Sequence, residues 1–119
     1  MLCSRFRDGS FAFGHERHKP GEIKSISPHT HNAYEMIFLN NCEVTYAVEE
    51  KSYPVKSNCL IFTPPGKLHS IRVDERWGYD RFMLLFESKA INAEVRNRPM
   101  LFLIIKWQFC WAIMLFLWL

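Results

Sequence analysis

The sequence predicts an all-β protein, an antiparallel sandwich or barrel, and three observations carry that prediction. Short apolar runs recur at intervals of about 8–12 residues. Several of them alternate apolar and polar side chains with the period of two that marks a half-buried strand. The gaps between them hold the Asn, Gly and Pro combinations that reverse a chain, and no helical amphipathic period appears before residue 87.

The elements follow in order. Residues 1–20 contain Gly, Arg and His with little periodicity, which predicts an extended arm with one leading strand. Glu35-Met36-Ile37-Phe38-Leu39 is an apolar strand ended by Asn40-Asn41, a pair that tolerates left-handed backbone. Val44, Tyr46 and Val48 alternate with Thr45, Ala47 and Glu49, and Glu49 to Ser52 reads as a hairpin loop. Tyr53-Pro54-Val55 starts the return as an edge strand, since proline cannot donate to a ladder. Cys59 to Phe62 is a further strand, stopped by Pro64-Pro65-Gly66. His69 to Val73 alternates again, and Arg81 to Phe86 is a longer buried strand. Lys89 to Arg96 predicts a helix, with Ser88 as N-cap and Pro99 marking its end.

Bulk properties bound what such a chain does. Its 119 residues suit one domain with a single core, and 49% hydrophobic with 23% charged residues is a globular composition. A net charge of +3 gives no argument for nucleic-acid binding. Cys3, Cys42, Cys59 and Cys110 form no C-x-x-C pair, and Met1 to Gly14 has charges and no apolar signal core. Reduced thiols in a cytoplasmic protein are therefore expected.

The chemistry concentrates around His29-Thr30-His31-Asn32-Ala33-Tyr34-Glu35. His29 and His31 are two apart and share a face on a strand; Glu35, four further on, shares it if the strand runs unbroken. His69, just after the Pro64-Pro65-Gly66 turn, can complete the group from a neighbouring strand. Three imidazoles and a carboxylate make a site for Fe, Mn, Ni or Zn with open coordination positions. The other reading is a metal-free cluster in which Glu35 pairs with a protonated histidine and each polar group finds a partner. Tyr34 and Tyr46 can stack on a sugar face or serve as packing residues, and Arg72 and Arg81 can hold an anion or remain solvated.

The order H-x-H-x(3)-E followed by P-x-G-x(2)-H resembles the two cupin motifs. Cys42 stands where a glycine usually follows the glutamate, and Asn58-Cys59 replace the residues that open the second motif. A narrower resemblance covers residues 15–90. HTHNAYEMIFLNN, KSYPVKSNCLIFTPPGKLHSIRV and GYDRFMLLF look like the N-terminal sensing domain of AraC-type transcription regulators. That resemblance implies a cupin-like antiparallel jelly-roll barrel that is not an enzyme. It binds a small-molecule effector, often a sugar, and forms a homodimer. Its effector pocket is expected to include His29, His31, Tyr34, Glu35, Tyr46 and His69, with no cofactor. A divalent transition metal on His29, His31, Glu35 and His69 is the alternative, which would make the chain a small cupin metalloenzyme, an isomerase or dioxygenase. DNA would be contacted only through C-terminal helix-turn-helix modules, and nothing after Phe86 offers a polar recognition helix.

The chain thus divides into an N-terminal arm (1–14), a cupin effector-sensing domain (15–90) and a linker with an apolar tail (91–119). Residues 100–119 hold one Lys, one Gln and three of the four tryptophans. An apolar C-terminal helix is expected there, and about 30 Å of it would match a bilayer core. Truncated or out-of-frame continuation ranks first, a membrane anchor with Arg96 and Arg98 on the cytoplasmic side second, and a dimer-packing helix third.

Overall fold

The computed structural model describes residues 2–90 and 103–106, and within them ten strands and one short 3-10 turn. The strands are β1 (Leu2–Asp8), β2 (Phe11–His18), β3 (Ser25–His29), β4 (Tyr34–Leu39) and β5 (Val44–Val48). They continue with β6 (Lys51–Val55), β7 (Cys59–Thr63), β8 (His69–Val73), β9 (Tyr79–Phe86) and β10 (Leu103–Lys106). Two antiparallel sheets form, one in the order β1-β2-β9-β4-β7-β10 and the other β3-β8-β5-β6.

The period-two pattern decides which side of each strand faces inward. Val44, Tyr46 and Val48 of β5 are buried, as are Cys59, Ile61 and Thr63 of β7 and His69, Ile71 and Val73 of β8. Together with Ile37, Leu39, Val55 and Tyr79 the apolar members form one core between the sheets. Each fully buried Ile, Val or Leu contributes about 1.5–3 kcal/mol relative to exposure. A one-residue slip in any of these strands would turn that set outward, so the core fixes the register.

Turn chemistry explains the breaks. Asn41, Glu49 and Asn58 all adopt positive φ, the conformation that asparagine tolerates best after glycine. Because Asn41 takes the left-handed position, Cys42 does not need to be glycine. It is fully buried instead, its Sγ donating to the Asp80 carbonyl at 3.5 Å. Gly66, at φ +78, completes the Pro-Pro-Gly turn where a side chain would be strained.

The N-terminal residues are not an arm with one leading strand. β1 and β2 form a hairpin, and β2 pairs with β9 along its full length from Phe11–Phe86 to His18–Tyr79. Position 14, the expected end of the arm, lies in the middle of β2. The hairpin is held by aromatic pairs on the outer face, Phe11 on Phe86 at 6.2 Å and Phe13 on Phe82 at 6.4 Å. Gly78 fits where β9 begins because a Cβ there would lie 2.5 Å from the His18 carbonyl oxygen.

Two C-terminal expectations meet different outcomes. Ser88–Ala90 is a single 3-10 turn, and the remainder of the helix predicted to Arg96 lies outside the described residues. The apolar helix is corrected over 103–106, where Leu103–Lys106 pairs with β7 as a strand; its β-branched Ile104 and Ile105 suit a ladder. Residues 107–119 lie outside the described residues. Among those described, no helix is long and apolar enough to cross a membrane.

Candidate functional site

His29, His31, Glu35 and His69 come together, though not along one strand. β3 ends at His29 and β4 starts at Tyr34 in the other sheet, so the unbroken-strand expectation is corrected. The connector between them carries His31, and its carbonyl accepts from the Gly66 amide at 3.0 Å. The Pro-Pro-Gly turn therefore holds His31 as well as delivering His69. His29 sits opposite His69 in the β3–β8 ladder, after an irregularity that follows Ile26. Glu35 projects inward from β4 beside Ile37 and Leu39, since all three occupy the buried parity of that strand.

One ligating atom from each of the four residues lies within 4.8 Å of every other. Glu35 and His69 are almost fully buried, at 4% and 2% exposure, while His31 is half-buried and His29 exposed. Each imidazole meets a backbone carbonyl at Nδ1: His29 with Ser27 at 2.8 Å, His31 with Ala33 at 3.1 Å and His69 with Lys67 at 2.7 Å. A carbonyl only accepts, so Nδ1 carries the hydrogen in all three; in its bond to Glu35 the Nε2 of His31 carries a second hydrogen, which it would give up to a metal. His31 Nε2 lies 3.3 Å from one Glu35 oxygen and His69 Nε2 3.5 Å from the other. The second contact is no hydrogen bond, and His69 Nε2 stays buried without a partner.

The charges follow from this geometry. Burial pushes the Glu35 carboxyl upward, but the hydrogen bond from His31 and the charges of His69, His31 and Arg81 outweigh it and hold Glu35 below its ordinary range. The same hydrogen bond to Glu35 raises His31 against its own burial. Burial lowers His69 and favours its neutral form. An ionised carboxylate, a neutral buried imidazole and oriented Nδ1–H groups are the donor set a divalent transition metal requires, and the orphaned His69 Nε2 is the atom that such an ion would satisfy. The metal-free pairing leaves that atom unsatisfied.

The two tyrosines go elsewhere. Tyr34 alternates with Glu35 and points to the outer face, stacked between Phe86 at 5.1 Å and Phe62 at 5.9 Å. Tyr46 is fully buried, its hydroxyl hydrogen-bonded with Thr63 at 2.7 Å and its ring 6.0 Å from that of His69. It backs the cluster and offers no open ring face. Arg72 is exposed on β8. Arg81 lies inside, only 13% exposed, its guanidinium 5.6 Å from the Tyr79 ring centre.

One described cavity adjoins the cluster through His31, and another shares part of its wall. The first, of about 180 Å³, is walled by His31, Asn32 and Ala33 together with Arg7, Ala12 and Leu85. A second of about 280 Å³ shares Arg7, Ala12 and Leu85 and extends past Gly14 and Met83 to Glu16, Arg5 and Arg81. The residues of β1 and β2 in these walls fall in the segment read as an arm. Their signal was present: Arg5 and Arg7 flank Phe6, and Ala12 and Gly14 alternate with Phe11 and Phe13, the same period of two that marks the other strands. A wider cavity, about 750 Å³, lies against Arg17, Asn40, Trp77 and Asp80. There Asp80 already accepts from His15 at 2.7 Å, Arg17 at 3.0 Å and Asn40 at 3.2 Å, so the chemistry is spent within the protein.

Comparison with known proteins agrees with this fold. No curated protein sequence matches the chain. A cupin superfamily protein from Desulfitobacterium hafniense is similar in structure, with a TM-score of 0.64 at 10% identity over 74% of this chain and 77% of that one. The cupin domain of Schizosaccharomyces pombe Cnp3 gives 0.66 at 14% identity over 83% and 72%. An oxalate decarboxylase gives 0.55 at 21% identity, over 76% of this chain and 26% of that one. At these identities the structures establish the cupin fold, and enzymes are among those that share it. The family model described as the AraC-like ligand binding domain matches residues 13–102, so the chain belongs to that family.

Proposed function

We propose that this chain is the effector-sensing and dimerisation domain of an AraC-type transcription regulator, acting by binding and not by catalysis. The observation that carries the reading is the pair of cavities, one beside His31 and one beside Arg81, that share Arg7, Ala12 and Leu85 as a common wall in a domain of the ligand-binding family. A molecule held there touches both the β1–β2 hairpin and β9. Occupancy would therefore favour one placement of the hairpin and bias whatever packs on it. Phe6, Phe11 and Phe13 are 59%, 44% and 37% exposed on the outer face of that hairpin, an apolar patch suited to a second copy. The test is thermal unfolding of the full chain with arabinose and with hexanoate in excess. A ligand that binds the folded state raises the midpoint, by about 2.7 kcal/mol of added stability at a hundredfold excess over Kd. Ala12→Leu, on the wall both cavities share, should remove the shift. A midpoint unmoved by either compound, or a shift that survives Ala12→Leu, would sink the reading.

A second reading is favoured by the orphaned His69 Nε2 and the three aligned Nδ1–H groups. His29, His31 and His69 through Nε2, and Glu35 through its carboxylate, would hold a divalent transition metal. Such an ion supplies Lewis-acid polarisation of an oxygen donor. The protein's own contribution is to keep Glu35 ionised, hold the imidazoles by their carbonyls and keep water from the buried side. Metal analysis of the full chain, loaded and then dialysed, separates this from a metal-free pocket. One ion per chain that is lost in His69→Ala supports it, and none bound refutes it.

A further inference from the structure

The cavity between the β1–β2 hairpin and β9 carries more positive charge and fewer acceptor side chains than a sugar requires. Three arginines, Arg5, Arg7 and Arg81, line it against one carboxylate, Glu16. Arg81 is the anchor among them. Its side chain is largely buried, Nη2 reaches Glu16 only at 3.4 Å, and Nε is buried with no partner. A guanidinium carries five donors in a planar fork, and a contact of 3.4 Å is well beyond the roughly 2.8 Å of a strong ion pair. The group is therefore under-satisfied within the protein, and its residue lines the cavity. Behind it the walls are apolar and shallow. Ala12 and Gly14 stand opposite Leu85 and Met83 in the β2–β9 register, so two small residues leave the width that two large ones border. Among the described residues of the lining Glu16 is the only acceptor side chain, whereas a polyhydroxyl ligand needs several. Tyr34 is stacked on the outer face and Tyr46 is packed in the core, so neither offers the aromatic platform a sugar uses.

From this arrangement we infer that the effector is a small amphiphilic carboxylate. Its carboxylate sits on the Arg81 fork, with Arg5 and Arg7 at the mouth. Its apolar body lies along Ala12, Gly14, Met83 and Leu85, and the far end points to the cavity beside His31. This rests on the effector-sensing reading and names its ligand class. No bond forms or breaks; the selectivity is for one negative charge on an apolar body.

The test is calorimetric titration of the EDTA-treated full chain with hexanoate, with its neutral isostere hexanamide and with arabinose. EDTA keeps any carboxylate–metal contact out of the result. Hexanoate should bind at least about tenfold tighter than hexanamide, the usual scale of a charge-assisted hydrogen bond. Arg81→Gln should abolish that preference, weakening hexanoate far more than hexanamide. Arg81→Lys keeps the charge but loses the fork, and should fall between the two, which preserves the test if Arg81→Gln does not fold. Equal affinities for hexanoate and hexanamide, or a preference that survives both variants, would overturn the carboxylate assignment. Arabinose binding that Ala12→Leu removes, with hexanoate inactive, would also overturn it while leaving effector sensing intact. Binding of none of the three would overturn both.

Discussion

Two of the carboxylate–histidine clusters among the described residues, around Asp80 and around Glu35, differ in how completely they are satisfied. Asp80 lies on the outer parity of β9 and accepts three hydrogen bonds at 2.7–3.2 Å, tying β2 and the β4–β5 turn to β9. Burial pushes its pKa up, but the bonds from His15 and Arg17 hold it below the ordinary carboxylate value. Glu35 lies on the inner parity of β4 with one hydrogen bond at 3.3 Å, a longer contact at 3.5 Å and a neighbouring imidazole nitrogen without any partner. The residue types are nearly the same. A closed network works as a clamp between strands, whereas a convergent set with spare donors and acceptors is prepared for something from outside. Cavity size points the other way, since the roughly 750 Å³ cavity lies beside Asp80. Satisfaction of the polar groups is the better guide, because binding requires atoms with bonding capacity left.

Substitutions can break the comparison, and the largest effect belongs to the open cluster. His69→Ala should lower the affinity for a divalent metal by about a hundredfold or more, since it removes a ligand outright. Asp80→Asn should leave metal binding unchanged in the same titration. Folding stability should show the reverse. Asp80→Asn is expected to cost about 2–3 kcal/mol in a denaturant titration, because His15, Arg17 and Asn40 lose their common acceptor. Glu35→Gln should change stability by about 1 kcal/mol or less, since it removes a buried charge that is only partly compensated.

How much of this was legible beforehand differs between the two clusters. The open one was visible because four ligand-type residues stand at recognisable spacing around Pro64-Pro65-Gly66. The reason given for it was wrong in part, as His29 and Glu35 belong to different sheets and a connector brings them together. The closed one was invisible, because His15, Arg17 and Asn40 lie 40 to 65 residues from Asp80 and no local pattern links them. The strands of the core were readable from alternation, down to Val44–Tyr46–Val48. The hairpin at the start was missed although Phe11 and Phe13 alternate with Ala12 and Gly14, because its apolar side chains fall on the exposed face and its inner residues are arginine, alanine and glycine. Tyr34 shows the limit of spacing arguments: it adjoins Glu35 in sequence, and the pleat sends it to the opposite face.

Smaller effects refine the picture. Tyr46→Phe should cost about 1 kcal/mol by leaving the Thr63 hydroxyl without its partner in the core, and it should not alter ligand binding. The pH dependence is subtler. His31 is raised, so its contribution to stability is complete below its unfolded value of 6.5 and is lost as pH rises through the folded value. Glu35 is lowered, so its contribution is complete above 4.5 and is lost as pH falls through its folded value. Both are present together between those limits. His69, lowered by burial, opposes the pair as it protonates. The stability advantage of the metal-free parent over Glu35→Gln should therefore be greater near about pH 5.5 than near about pH 8.5, measured by urea midpoints at each pH.

The central claim, that ligands enter the cavities on the side of the open cluster and not the one beside the closed cluster, is tested most directly by mapping a bound probe in the NMR spectra of the full chain. With saturating hexanoate, shifts should concentrate on Ala12, Gly14, His31, Ala33, Met83 and Leu85, residues around the two cavities that share a wall. Shifts concentrated on Arg17, Asn40, Trp77 and Asp80 would place the ligand at the other end and contradict the claim.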